Sequence, residues 1–384
     1  MRNWIGLVCV LLTACATQQP RVQPPEFLFD DASFSASSER ISAAEVFALS
    51  DPMKRYLRTE IHSQLRQLGP QEGLISALYH KGQLKLQYDA GMTRNASQAF
   101  EARAGNCLSL VIMTAAFAKE LGLQVRYQSA YLEESWGRSG DLLVRSGHVN
   151  ITLDRKMGDR NTIGNLDALT IDFLPAQSLR GLRTRDIQEE MIVAMYMNNK
   201  AVEALVEGRI DDAYAWAREA VRHSPEYLGS HNTLGVIYMR RGDLIRSEKV
   251  FSYLLEREAA NARAMSNLAQ VFGRQGRNLE SAALLRRLAQ IEPVAPFHYF
   301  NLGRAAMDDE NYRLARDMFA KEVARADHAE FHFWLALANF KLGELEPARK
   351  HLMLAMENGV TRKERELYAA KLASLRQHKG STVE

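Results

Sequence analysis

Residues 234–276 read LGVIYMRRGDLIRSEKVFSYLLEREAANARAMSNLAQVFGRQG. Leu234-Gly235 and Leu268-Ala269 begin two similar phrases, Tyr238 and Phe272 hold the same place in each, and Gly242 and Gly276 end them 34 residues apart. Working outward, Gly208 stands one period earlier, Glu310 occupies the next equivalent position, and Gly343 follows. A fixed period of this length means stacked supersecondary units, each burying its apolar face against its neighbours. Within a unit the first helix carries small or apolar residues near its middle, as in Leu302-Gly303. The second carries Ala213 and Ala220, Phe251, Leu285 and Leu288, Ala315 and Phe319, or Ala348 and Ala355. Pro225 and Pro293 close two units where a helix must stop. The pattern predicts about five helical hairpins over 191–360, then a capping helix and tail over 361–384 with Leu367, Ala370, Leu372 and Leu375 amid charges. Three positions depart from it: Glu310 replaces a turn glycine, Ala259 a closing proline, and Lys200 a large apolar residue in the first hairpin.

This pattern resembles the tetratricopeptide repeat, TPR. The resemblance implies an all-α solenoid whose first helices line a concave face that takes a protein or peptide partner. Asn267 and Asn301 share a register position there, with Arg263 and Arg304 within about a turn of them, and the four are candidates to grip a peptide backbone or carboxylate. The plainer reading is the solvated face of any amphipathic helix. His328 and His332 have the i, i+4 spacing of some metal ligands, but with no third ligand evident they read as surface or packing histidines.

The N-terminus has a different character. Arg2, an apolar stretch from Trp4 to Leu12, and small residues at Thr13 and Ala14 give residues 1–14 the layout of an export signal, too short to span a bilayer. Leu12-Thr13-Ala14-Cys15 resembles the lipobox of bacterial lipoproteins, which implies cleavage before Cys15 and a lipid-anchored cysteine, with the membrane as a partner. Residue 16 is Ala and not the Asp associated with inner-membrane retention, so the resemblance implies the outer membrane, facing the periplasm. Residues 15–25, with three Gln and three Pro after Ala16, fit an extended tether.

Cys107 is then the one cysteine left without an assigned fate. A thiol with no possible disulfide partner in an oxidising compartment is either buried or used. Gly105-Asn106-Cys107 opens an apolar run, Leu108 to Leu121, that ends at Gly122, which predicts a helix with Asn106 at its N-cap and Cys107 in the first turn. Free backbone N–H groups there favour an anion, the nucleophilic form of a thiol. Downstream the period turns to two. Gln124 to Tyr131 reads as a strand, Glu133 to Asp141 as a polar loop, Leu142 to Leu153 as one or two strands, and Leu169 to Phe173 as another. His148 shares a strand face with Asn150 and Thr152, so helix and neighbouring strands can bring Cys107, His148 and Asp172 together as nucleophile, base and orienting carboxylate. Taken singly, each residue also has a plainer role as core thiol, satisfied histidine or turn cap. Residues 40–90 supply helical patterns, Ala43 to Leu49 and Met53 to Leu68, around this core.

Arg103-Ala104-Gly105-Asn106-Cys107-Leu108-Ser109-Leu110, Leu121-Gly122-Leu123, Gly147-His148-Val149 and Ile171-Asp172-Phe173 resemble the transglutaminase-like core. The resemblance implies an α+β, papain-like domain over 26–185 with helix plus antiparallel sheet, and catalytic Cys107, His148 and Asp172. It further implies a thioester intermediate and an oxyanion donor at the Cys107 backbone N–H, with Gln98 as a candidate side-chain donor. The aromatic residue usual soon after the family's histidine is replaced by Val149-Asn150-Ile151.

The 49 basic and 46 acidic residues are spread along the chain and give a formal charge of +3, so no basic block points to nucleic acid. No metal and no organic cofactor is indicated. The expectation is therefore an outer-membrane lipoprotein in which the array brings a protein or peptide to a cysteine peptidase, amidase or acyltransferase site. The alternative is a non-enzymatic assembly scaffold whose transglutaminase-like domain is degenerate.

Overall fold

A computed structural model describes residues 23–79, 84, 86–131, 136–139, 142–145, 148–154, 168–173, 183–294, 296–359 and 361–378. The export-signal residues and Cys15 lie outside the described residues.

From residue 26 the chain makes short 3-10 turns at Glu26–Leu28, Asp31–Ser33 and Ala43–Glu45. The helical pattern of Ala43 to Leu49 is thus only one such turn. Next come α1 (Asp51–Arg55), a π-turn (Tyr56–Glu60) and α2 (His62–Tyr79). Met53 to Leu68 is not one helix, since the π-turn interrupts it. A second break follows at Gly69, whose φ of 82° only glycine adopts freely, and Pro70 then starts the second half of α2.

The cysteine region follows: β1 (Gln87–Tyr88), α3 (Ala96–Ala102), β2 (Ala104–Gly105), α4 (Cys107–Glu120), β3 (Gln124–Tyr131), β4 (Trp136–Ser139), β5 (Leu142–Arg145), β6 (His148–Asp154), β7 (Leu169–Ile171) and β8 (Arg183–Ile187). β1 and β2 pair in parallel, Tyr88 opposite Gly105. β4 and β5 form an antiparallel hairpin, so part of the segment expected to be a polar loop is strand. The main sheet is antiparallel with order β7-β6-β3-β8. α4, whose residues Leu108 to Ala118 are all buried, packs against β6 and β3.

The array is α5 (Glu189–Val206) with α6 (Ile210–His223), α7 (Leu228–Arg241) with α8 (Leu244–Arg257), α9 (Ala262–Arg274) with α10 (Asn278–Ile291), α11 (His298–Asp308) with α12 (Tyr312–Arg325), α13 (Ala329–Lys341) with α14 (Leu345–Asn358), and the capping helix α15 (Arg362–His378). This is an all-helical solenoid. Gly208, Gly242, Gly276 and Gly343 turn each hairpin at φ between 78° and 91°, and Glu310 takes the same left-handed turn at φ 56°. Gly235 and Gly303 admit no side chain, because a Cβ at either would stand 2.6 Å from the ring of Phe251 or Phe319.

Residues 26–41, grouped by sequence with the cysteine domain, lie along the array. Phe34 stacks on Tyr214 with ring centroids 3.7 Å apart, and Tyr238 Oη donates to the Leu28 carbonyl at 2.9 Å. Asp212 accepts from Ser38 N at 2.7 Å and from the Ser37 and Ser38 hydroxyls at 2.8 Å each. One continuous apolar core runs from Leu28 through the sheet and α4 to Phe272 on α9.

Candidate active site

Cys107 is the first residue of α4 and is partly exposed. Asn106 caps the helix, its Oδ1 accepting from Ser109 N at 2.9 Å, while its Nδ2 donates to Thr93 Oγ1 at 2.9 Å. Ser109 Oγ in turn accepts from Arg94 N at 2.8 Å. Gly105 has to be glycine, since a Cβ there would lie 2.6 Å from Ser109 Cβ. The thiol is therefore placed by a cap and by a chain of hydrogen bonds that tie residues 93–94 to the start of the helix.

β6 begins at His148, which is almost wholly buried, and the chain reaches Asp172 immediately after β7. His148 Nε2 lies 2.7 Å from Asp172 Oδ1, and the Cys107 thiol is close enough to the imidazole to favour its charged form. Burial works to lower the His148 pKa, while Asp172 and Cys107 raise it, and the balance lies at about 9. The three residues named from sequence thus converge in the order thiol, imidazole, carboxylate.

Two neighbours were not singled out from the sequence as part of the site. Asn150 Nδ2 donates to Asp172 Oδ2 at 3.4 Å, so it helps fix the carboxylate that orients His148. Tyr88 is held beside the start of α4 by the β1–β2 register, and burial first, then the charges of Cys107 and Asp89, push its hydroxyl well above the ordinary tyrosine range. It stays a neutral hydrogen-bond donor. Only the alternation of β6 hinted at Asn150, and the parallel pairing that delivers Tyr88 is too short to read from sequence.

Gln98 sits elsewhere in function. It is exposed on α3, and its Oε1 accepts the Asn95 N–H at 3.1 Å in a capping box, so its side-chain oxygen serves that helix end.

The four array positions are dispersed among local partners. Asn267 Nδ2 donates to Asn232 Oδ1 at 3.0 Å, one residue before Thr233, which holds the equivalent register position in the preceding repeat. Asn301 is exposed, Arg304 lies 3.8 Å over the Trp334 ring, and Arg263 is close enough to Tyr227 to act on its hydroxyl. His332 is buried, with Nδ1 2.9 Å from His351 Nδ1 and Nε2 2.5 Å from Asp327 Oδ1, and His328 packs on Phe331. Among the described residues no group of three His, Cys, Asp or Glu side chains could hold a metal ion, and no helix is long and apolar enough to cross a membrane.

A family model of the tetratricopeptide repeat matches residues 232–296 and 300–356. The C-terminal region carries TPR repeats. Among solved structures the chain is similar to a TPR protein of Thermus thermophilus, over 47% of this chain and 99% of that one, at 17% identity and a TM-score of 0.30. It is also similar to the pilF protein of Pseudomonas aeruginosa, over 50% and 88%, at 19% identity and a TM-score of 0.29. Scores of this size carry nothing about function. No curated protein matches the chain.

Proposed function

We propose that the TPR array recruits a protein or peptide and presents it to Cys107, which carries out amide hydrolysis or acyl transfer with His148 and Asp172. The observation that carries the chemistry is the 2.7 Å contact of His148 Nε2 with Asp172 Oδ1 on a ring whose charged form the nearby Cys107 thiol also favours. In this reading Asp172 fixes the ring with Nε2–H toward the carboxylate, and the imidazolium already holds the proton taken from the thiol, so that sulfur attacks the carbonyl carbon as a thiolate. The tetrahedral oxyanion meets the Cys107 N–H, one of the first-turn groups of α4 with no acceptor inside the helix. His148 then protonates the departing amine and leaves a thioester, which water or a second amine opens. The fold implied is papain-like, of the transglutaminase-like kind, with helix α4 laid on an antiparallel sheet.

The rate of Cys107 alkylation by iodoacetamide, read by peptide mass spectrometry at neutral pH, tests the pairing. His148→Ala should slow it about tenfold or more, within the range ascribed to general-base assistance. Equal rates in the two proteins would remove the base from the scheme.

A second reading is favoured by the reach of the family match, which lies wholly within the repeats: a scaffold that binds a partner without turnover. Full complementation of a deletion strain by Cys107→Ala would select it. For location, we infer lipid anchoring at Cys15 in the outer membrane from Leu12-Thr13-Ala14-Cys15 followed by Ala16. Labelled palmitate should enter the wild-type protein and not Cys15→Ser; equal labelling would rule the anchor out.

A further inference from the structure

The solenoid does not stack evenly. α6 packs on α7, α8 on α9, α12 on α13 and α14 on α15, but α10 packs mainly on its own partner α9. α10 has no buried residue, and Leu279 is 87% and Leu285 49% exposed on it. The apolar core breaks at the same place. One cluster ends at Phe272, and a separate one begins at Phe297, itself turned to φ 60° at the start of α11. A solenoid joint without a filled seam is a hinge, because few contacts oppose its bending. α11–α15 is then an arm distinct from the body formed by the cysteine region and α5–α9.

The tip of that arm returns to the site. Arg365 on α15 donates through Nη1 to the Gly359 carbonyl at 2.8 Å, which fixes the guanidinium, and through Nη2 to the Tyr88 carbonyl at 3.2 Å. A Cβ at Gly91 would lie 3.7 Å from Thr361 Cγ2. The segment so touched leads directly to the nucleophile: Tyr88 pairs with Gly105, Asp89 N donates to the Gly105 carbonyl at 3.0 Å, and Cys107 stands two residues further on. The far end of the same segment is held by the first hairpin, where Glu203 Oε1 accepts from Thr93 N at 2.7 Å and Asn199 Nδ2 donates to Thr93 Oγ1 at 3.2 Å. Residues 88–93 thus form a bridge with one foot on the fixed body and the other on the hinged arm.

We propose that Arg365 is a positioning residue of the Cys107 site, delivered by the hinged distal half of the array, which closes the approach to the thiol by latching onto Tyr88. The inference rests on the reading of Cys107 as the reactive group and adds its regulation: a partner bound across the hinge changes the bend of the array and thereby the latch.

The experiment compares two alkylating probes on Cys107 of the full mature chain by peptide-resolved mass spectrometry, one small (iodoacetamide) and one bulky (a poly(ethylene glycol) maleimide). In Arg365→Ala the bulky-to-small rate ratio rises about threefold or more, as expected for loss of one charge-assisted hydrogen bond, and Arg365→Lys restores it. The double variant Gly91→Cys/Thr361→Cys forms a disulfide that lowers the ratio below wild type until it is reduced. General loosening would accelerate both probes together and leave the ratio alone. Failure of the new cysteines to cross-link, or a ratio unchanged in both variants, overturns the latch. Failure of the base shows separately, as His148→Ala without effect on the iodoacetamide rate.

Discussion

His148 is where the site and the stability of the fold meet. Its ring is buried beside Asp172 and Cys107, and against the cost of burial these two stabilise the charged form and raise its pKa from the ordinary histidine value of 6.5 to about 9. A group with a raised folded pKa binds its proton more tightly in the native state. The stability it contributes is complete below about 6.5, declines from there upward, and is lost once the pH passes about 9. Urea midpoints of the wild-type protein should therefore fall between pH 7 and pH 9.5 by a component that His148→Gln lacks; parallel curves would mean that the ring is not held charged. At this scale the sequence pointed to three residues that the fold brings near one another, and not to their surroundings. Cys107, His148 and Asp172 stand out because a capped helix and a period-two strand fix where each side chain goes. Tyr88 acts through a two-residue parallel pairing that leaves no pattern in the residues, and Asn150 through a cross-strand contact of which the alternation of β6 gives the face but not the partner.

Among the elements, the hairpins of the array were the most legible, and the backbone explains why. The periodic glycines sit at positive φ, a conformation that costs other residues roughly 1–2 kcal/mol, so the period in the sequence is the period of a backbone requirement. Glu310 meets the same requirement without the means, at φ 56°. It is exposed, so its side chain has little packing to lose. Glu310→Gly should stabilise the hairpin of α11 and α12 by about 1 kcal/mol, measured as a rise in the urea midpoint with unchanged slope; a lower midpoint would show that the chain relaxes the turn elsewhere. The elements misjudged from sequence were short or composite. Ala43 to Leu49 has helical spacing but forms one 3-10 turn, Met53 to Leu68 is split by the π-turn and by the Gly69-Pro70 break, and β4 lies inside a polar stretch. Pattern reading needs several turns of one period, and these segments do not supply them.

At the scale of the whole molecule, the division by sequence into a cysteine domain and an array does not match the division by packing. The extended segment 26–41 belongs to the array surface, and Asp212 is its clasp: Ser37, Ser38 and Arg209 all donate to its carboxylate, which with burial opposing them holds its pKa well below the usual range. The core that this segment joins continues without a gap from Leu28 to Phe272, whereas α11–α15 rests on smaller, separate clusters. Cooperativity follows the core and not the family boundary. Hydrogen exchange followed through a urea series should show α11–α15 opening first, while α4, the sheet and α5–α9 open together in a later step. Asp212→Ala should lower that later step by about 2 kcal/mol or more, through loss of several hydrogen bonds to a charged and buried acceptor, and leave the first step in place. A single step for the whole chain, or an Asp212→Ala effect confined to α11–α15, would mean that the seam beside α10 carries more cohesion than its exposed leucines suggest, and the hinge would have to be sought elsewhere.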